Sequence, residues 1–477
     1  MANPQPTPAP IHLLQFGGGN FLRAFLGEMI QTYNEATGAD LGIAVVVRKD
    51  SELYAQWREQ AGHYHVVTRG FRKGQVVSEK KPIGCVRKIL PLDAQWEAFL
   101  ATAELPDLRF IVSNSTEAGI RFSEADQFTD APPQSFPAKL TRWLYHRYQH
   151  VQGALDRGCI LLPTELIQGN GQALLACLKQ YAHHWELEAG FHHWLEAANT
   201  FCDTLVDRIV TGFSPEALPA AWATWGIRDG LMTQGEAYHF WALQAPAMVR
   251  QALPLHEVGL NVIFTDNLEP YRKRKVRVLN GLHTAMVPVG YLAGWRLVRE
   301  AVEDPLVGEY LTRLLEQEIL PVLQLPEAES QRFARDVWDR FRNPFIDHHL
   351  LDISLNSFSK VKSRLLPTLW DHQQQGLPPP PALSLALVCL IRFYRGTWQG
   401  QPIPLRDEPM ILKKMANLWQ MYGDDLAGLV DELLAWEAWW GSDLRTYPGL
   451  RGLLTEQLIS LEQKGLKATL STLISPS

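Results

Sequence analysis

Apolar residues along the chain follow two different rhythms. Ile11 to Phe16, Gly42 to Val47, Leu108 to Ser113 and Cys159 to Leu162 are short, mostly apolar runs of strand length, the kind buried on both faces of a parallel sheet. Between them the period changes. From Phe21 to Tyr33 two rows, Phe21/Phe25/Met29 and Leu22/Leu26/Ile30, repeat at helical spacing, and Ala138 to His150 reads as an aromatic-rich helix. Strands alternating with helices predict a mainly parallel sheet. His63 to Thr68 and Gln75 to Ser78 read as a pair of strands joined by a turn at Gly70–Gly74. From about Gly171 helical spacing takes over in Gln172 to Trp185 and Gly190 to Asn199, with one more strand at His256 to Thr265. After Tyr271 nearly everything is helical in pattern: Val276–Leu292, Pro305–Glu318, Glu327–Phe341, His348–Leu365, Leu383–Tyr394, Glu408–Gln420, Ala427–Ala438 and Leu450–Leu461, with Pro378–Pro381 marking a loop.

The first strand feeds straight into Gly17-Gly18-Gly19-Asn20 and then the first helix. Strand, glycine turn and helix open a dinucleotide-binding βαβ unit: the glycines let the backbone approach a pyrophosphate, and the helix N-terminus offers it free N–H groups. Gly17 and Gly19 fit the first two positions, whereas Leu22 stands at the third. At the end of the second strand an Asp or Glu would favour the ribose of NAD. Here Arg48 and Lys49 stand there, with Asp50 beyond. Arg48 could accept a 2′-phosphate, stack on adenine or face solvent, so NADP is not excluded. Ser113 to Gly119 is a polar cluster after a strand end, where ligands bind in open α/β sheets. The expected class is therefore an α/β Rossmann-like domain with an extended sheet over residues 1–268. A mostly α-helical substrate domain over 269–477 should follow, with the active site where the two meet.

One helical stretch carries residue types that do not suit filler. Lys275, Asn280 and His283 interrupt an apolar sequence of Val276, Val278, Leu279, Leu282, Ala285 and Met286. Asn280 and His283, three apart, share a face. Lys275 and Asn280, five apart, lie about 140° apart on an α-helix and only flank one site. Burial would disfavour the charged ammonium and make Lys275 usable as a proton carrier, while an amide and an imidazole could hold and orient an oxygen. The plain alternative is a lysine reaching water and a satisfied core histidine.

Composition narrows the class. With 477 residues, 46% hydrophobic, 20% charged and a net charge of -6, the chain is an ordinary globular one, without the basic excess that nucleic acid or an anionic membrane would attract. Five scattered cysteines without a Cys-x-x-Cys read as reduced thiols, and the adjacent pairs His183-His184 and His192-His193 lack the spacing of metal ligands. Met1 to Pro10 is polar and proline-rich, unlike a signal peptide, and no apolar run reaches transmembrane length, so a cytoplasmic location is expected. Oligomeric state cannot be read from the pattern.

Gly17-x-Gly19-x-Phe21-x-Arg23 together with Lys275-x-x-x-x-Asn280-x-x-His283 resembles the polyol-specific long-chain dehydrogenases, which include mannitol dehydrogenases and hexuronate reductases. Phe201-Cys202 through Ile209, Val278 through Val289 and Arg340-Phe341-Arg342-Asn343-Pro344 extend the resemblance over nearly the whole chain, in particular to the hexuronate-reducing members. The resemblance implies zinc-independent hydride transfer between NAD(H) and a sugar-acid ketone, with no metal. Lys275 would be the general acid/base, and Asn280 and His283 would hold the reacting oxygen. Phe16, Gly17, Gly18, Gly19, Asn20, Phe21, Arg23, Arg48, Asn114 and Glu117 are the expected cofactor contacts. A family asparagine is replaced by Asp203, whose charge would not suit a developing alkoxide, and Asn199 is the expected stand-in. Lys360 matches a substrate-contacting lysine, while Asp352 stands where the family has an arginine. A substrate carboxylate calls for cations, and Lys360 and Arg364, four apart on one helix, are the first choices, ahead of Arg342, Arg392 and Arg395. The rivals are a dehydrogenase of neutral or phosphorylated polyols and a nucleotide-binding regulatory protein without turnover.

Overall fold

The computed structural model describes residues 10–47, 52–116 and 118–474. The chain divides into two compact units, Met1–Leu268 and Glu269–Ser477.

The first unit is built on a six-stranded sheet. Its strands in chain order are β1 (Leu13–Phe16), β2 (Ile43–Val47), β3 (Val86–Pro91), β4 (Phe110–Ser113), β5 (Ile160–Pro163) and β6 (Thr200–Phe201). They lie in the spatial order β3-β2-β1-β4-β5-β6, with every pair parallel. This is the order of a doubly wound dinucleotide-binding sheet, and the chain reverses direction across the sheet between β1 and β4. The continuous apolar runs follow from double-sided burial. Leu13, Val45, Val47, Phe110, Val112 and Ile160 face one core with Phe25, Trp57 and Trp241. The alternate residues Leu14, Phe16, Ala44, Val46, Ile111 and Leu161 face the other, with Phe99, Trp143 and Trp194.

Two small sheets complete this unit. Tyr64–Arg72 pairs antiparallel with Gln75–Ile83, and Thr233–Glu236 adds in parallel to Tyr64–Arg72. The hairpin is longer than its apolar pattern suggests. Gly70 lies inside the strand, and the turn is only Lys73–Gly74, both in the left-handed region (φ 53° and 75°), as a two-residue hairpin turn requires. The second sheet joins Asp203–Asp207, Phe240–Gln244 and Val262–Thr265. The strand expected over His256 to Thr265 is in fact a 3-10 turn, Leu255–Val258, followed by the strand Val262–Thr265.

The second unit is helical, so the expected order of an α/β part followed by an α-helical part is what the structure shows. Two helices form its centre. Gly281–Leu292 and Pro381–Phe393 are buried at every position after Pro381, which suits their apolar sequence all round. The helix expected over His348–Leu365 is broken into Leu350–Ile353 and Ser357–Arg364, because Asn356 adopts the left-handed conformation (φ 54°). Leu450–Ile474 bends at Gly465, whose φ of 80° and ψ of 167° interrupt the helix. No helix among the described residues is long and apolar enough to cross a membrane. All five cysteines are buried free thiols.

Candidate active site

In the first unit the glycine turn leaves the C-terminal end of β1. Gly17 has φ 115°, a conformation that side chains avoid. Gln15, buried within β1, donates from Nε2 to the Gly17 carbonyl at 2.6 Å and fixes the turn from below. A Cβ on Gly18 would stand 2.9 Å from both Trp57 Nε1 and Val47 Cγ1, so only glycine lets the turn pack there. Beside the turn lies a cavity of about 350 Å³, lined among others by Phe16, Gly17, Gly18, Val46, Asn114 and Ser115. It sits at the strand ends flanking the reversal of strand order, where ligands bind in such sheets.

The remaining expected cofactor contacts of this unit fall around the cavity rather than all upon it. Gly19 and Asn20 are exposed at the turn. Phe21 stacks on Phe25, with centroids 5.0 Å apart, and packs on the core. Arg23 is buried. Its Nη2 donates to Asn20 Oδ1 at 2.5 Å, its Nε and Nη1 have no hydrogen-bond partner among the described residues, and burial lowers its pKa to about 10. Arg48 and Glu117, with Lys49 and Asp50, lie outside the described residues.

Sequence reasoning assigned no role to Glu165. This buried carboxylate accepts from Ser113 Oγ at 3.1 Å, Ser115 N at 2.8 Å and Ser115 Oγ at 3.0 Å, while Asn114 Nδ2 donates to Thr164 Oγ1 at 3.0 Å. The end of β5 thereby fixes the loop after β4. Its signal was the polar Pro163-Thr164-Glu165 at the end of an apolar run.

In the second unit the Lys275 segment departs from an α-helix. Between Glu269–Arg274 and Gly281–Leu292 the backbone makes a π-helical turn, Lys275–Asn280. In that wider i→i+5 register, residues five apart are about one turn apart. Lys275 and Asn280, expected only to flank one site, therefore come to nearly the same side, with His283 three residues further on. Lys275 and Asn280 are half-buried. Arg277, in the same turn, is buried and donates from Nε to Thr368 Oγ1 at 2.7 Å and from Nη2 to Asp371 Oδ2 at 2.8 Å.

His283 is buried against Phe341 (centroids 4.4 Å apart) and edge-on to His348 (5.1 Å), and its Nε2 has no hydrogen-bond partner among the described residues. It is not the satisfied core histidine of the plain alternative. Burial holds its pKa well below the usual value, and His348, Arg340, Arg364 and Lys360 push the same way, so the ring is neutral. Lys360 donates to the Ile353 carbonyl at 2.6 Å and Arg364 to Thr284 Oγ1 at 3.4 Å. Both are half-buried, and burial lowers the pKa of each. Arg392 and Arg395 are instead both paired with Glu462.

Two expectations change. Asn199, the expected stand-in for the missing asparagine, is a buried structural residue. Its Oδ1 accepts from Cys159 N at 2.9 Å, and its Nδ2 donates to the Trp194 and Leu195 carbonyls, so it closes the end of the preceding helix and both ends of its amide are engaged within the fold. Asp203 accepts from Gly171 N at 2.8 Å and Gln172 N at 3.1 Å, at the start of the helix Asn170–His184. An anion suits a helix N-terminus, which accounts for a carboxylate at this position.

Known proteins match over nearly the whole chain. Altronate oxidoreductases of Yersinia enterocolitica and Cronobacter sakazakii are 44% and 42% identical to it, over 466 and 468 residues. The alignments cover 97% of this chain in both cases, and 96% and 97% of those proteins. Among solved structures, Pseudomonas fluorescens mannitol 2-dehydrogenase, in a ternary complex with NAD and D-mannitol, aligns over 98% of this chain and 96% of its own, with a TM-score of 0.67 and 22% identity. A substrate-free D-sorbitol dehydrogenase aligns over 97% and 95%, with a TM-score of 0.80 and 21% identity. At those identities the two structures speak for the fold alone. Residues 11–257 match the model of the mannitol dehydrogenase Rossmann domain and residues 267–462 that of the mannitol dehydrogenase C-terminal domain, and the chain belongs to the mannitol dehydrogenase family.

Proposed function

We propose that this protein is an NAD-dependent altronate oxidoreductase, the tagaturonate reductase of the reverse direction, acting on a hexuronate in the cytoplasm. The observation that carries the site assignment is the π turn that brings Lys275 and Asn280 to one side, next to a neutral His283 with cations around it. The full-length similarity to altronate oxidoreductases supports the substrate class.

The first unit fits a dinucleotide. The cavity beside the turn is partly apolar, its turn is one that side chains would fill, and Gly19 leads into a helix N-terminus. Phe16, Gly17, Gly18 and Asn114 would hold the cofactor, with Asn20 and Arg23 at the turn. When bound, NADH supplies the hydride that reduces the ketone carbon.

The chain's own residues handle the oxygen and the proton. The Lys275 ammonium donates its proton to the ketone oxygen as negative charge develops there. Asn280 Nδ2 and the His283 imidazole donate hydrogen bonds to the same oxygen. Because burial keeps His283 uncharged, it polarises the oxygen without competing with Lys275 as the acid. In the oxidative direction the free amine of Lys275 takes the proton from the alcohol. Lys360 and Arg364 meet the substrate carboxylate, with Arg340 adding to the positive field.

The test is NADH and NADPH oxidation with tagaturonate, fructuronate, fructose and fructose 6-phosphate. The expected result is a kcat/KM for tagaturonate and NADH far above every other pairing. A preference for fructose or its phosphate would overturn the substrate class, and tight NADH binding without turnover would overturn the enzyme. Lys275→Ala should lower kcat by about 10²–10⁴ with NADH affinity kept, and activity within about tenfold of the parent removes Lys275 from the acid role.

A further inference from the structure

The helix that follows the glycine turn is itself irregular. Between Asn20–Leu22 and Glu28–Thr37 the backbone widens into a π turn, Arg23–Gly27, whose five residues are all buried. Returning from an i→i+5 to an i→i+4 register leaves a carbonyl without a helical N–H. In a buried segment that carbonyl needs another donor. Two carbonyls of the turn receive one from residues far away in sequence. Arg208 Nη1 donates to the Ala24 carbonyl, and Tyr64 Oη donates to the Arg23 carbonyl at 3.0 Å. Gly27 has no side chain where the Tyr64 hydroxyl passes, and a Cβ there would overlap it.

Arg208 is built to stay in place. It is buried, and its Nη1 also meets Glu28 Oε2 at 2.5 Å. Its Nε donates to the Glu236 carbonyl at 2.9 Å and its Nη2 to Thr68 Oγ1 at 3.3 Å. A guanidinium serves four acceptors at once because its donors form a rigid fork, which a lysine lacks.

What the turn holds is the exposed edge of the glycine turn. Arg23, its first residue, places Nη2 on Asn20 Oδ1, which also accepts from Thr233 Oγ1 at 3.1 Å. With Oδ1 committed to two donors, the orientation of the exposed Asn20 amide is fixed beside Gly17–Gly19.

We propose that Arg208 is a positioning residue for dinucleotide binding: it satisfies the carbonyl that the π turn frees, and so keeps Arg23 and Asn20 set at the glycine turn. The inference rests on the reading of that turn as the dinucleotide site.

The experiment compares the parent, Arg208→Lys and Tyr64→Phe in NADH titration by fluorescence, steady-state kinetics and thermal unfolding. Arg208→Lys keeps a cation opposite Glu28 but loses the fork. It should raise the NADH Kd and KM about tenfold, the worth of one misaligned charge-assisted hydrogen bond. The KM for the ketone and kcat at saturating NADH should stay within about twofold. Tyr64→Phe removes the second donor without touching the ion pair and should raise the NADH Kd about threefold. A folded Arg208→Lys with an unchanged NADH Kd overturns the proposal. So does a loss confined to kcat and thermal stability, which is what a merely structural arginine would give. Should Arg208→Lys fail to fold, an unchanged Kd in Tyr64→Phe rejects the proposal by itself. A parent that binds no NADH overturns the reading of the turn and this inference with it, whereas binding by the parent with both variants unaffected overturns the inference alone.

Discussion

Position 203 shows how far a single residue can be judged before its surroundings are known. A negative charge there conflicts with a developing alkoxide, which is why the position was given no role on the substrate. What the sequence did not reveal is the pair of backbone N–H groups on Gly171 and Gln172 that Asp203 accepts from. Such a carboxylate acts as a helix cap, and the prediction follows from that role. Asp203→Asn keeps an acceptor oxygen and should leave kcat/KM within about twofold. Asp203→Ala should cost about 1 kcal/mol of stability in denaturant titration. A gain of an order of magnitude in kcat/KM for Asp203→Asn would place residue 203 on the substrate instead. Asn199 teaches the converse. Its residue type suited an oxygen-binding role, but three buried hydrogen bonds already use both ends of its amide.

Among the elements, the four central strands of the main sheet were legible because burial on two faces leaves an uninterrupted apolar run. β3 was not legible: at the sheet edge its pattern is broken by the exposed Arg87 and the half-buried Lys88. The strand Asp203–Asp207 was missed because acidic residues bound it at both ends, where register and neighbouring strands outweigh its own pattern. The π turns were invisible for a different reason. The spacing of Phe21, Phe25 and Met29 fits an ordinary α-helix, and no residue pattern marks where the backbone widens at Arg23–Gly27. The turn at Lys275–Asn280 has its own anchor, Arg277 on Asp371 and Thr368. Asp371→Asn removes the charge that holds this arginine, so the turn should shift and kcat should fall about tenfold or more, while the NADH Kd stays near the parent value. Unchanged kcat in a folded variant would show that the turn keeps its shape without the pair.

For the molecule as a whole, acidity should act through groups whose protonation the fold biases. Burial holds His283 and His348 below the ordinary histidine value and lowers His239 to about 4. Each contributes stability that is present above about 6.5 and lost as pH falls through its folded value. Glu318 works in the opposite sense. It is buried, with its carboxylate on the backbone N–H groups of Ala382 and Leu383 at 2.7 Å each, and burial raises its pKa from 4.5 to about 7. Its contribution is complete below 4.5 and is lost as pH rises through about 7. Between pH 7 and 5 the two effects oppose one another. The melting temperature should therefore fall more steeply over this interval in Glu318→Gln than in the parent, measured by calorimetry. Parallel profiles would mean that the Glu318 carboxyl does not titrate there.

The buried thiols offer a way to time the loosening of the fold. Burial pushes the Cys85, Cys159, Cys177, Cys202 and Cys389 thiols above their ordinary range, so in the native state none presents a thiolate at neutral pH. A maleimide added to the native protein should find nothing to alkylate until some part of the chain loosens. Cys389 lies in the second unit and the other four in the first. The order in which mass tags accumulate would then report, without any engineered label, which half of the chain gives way first.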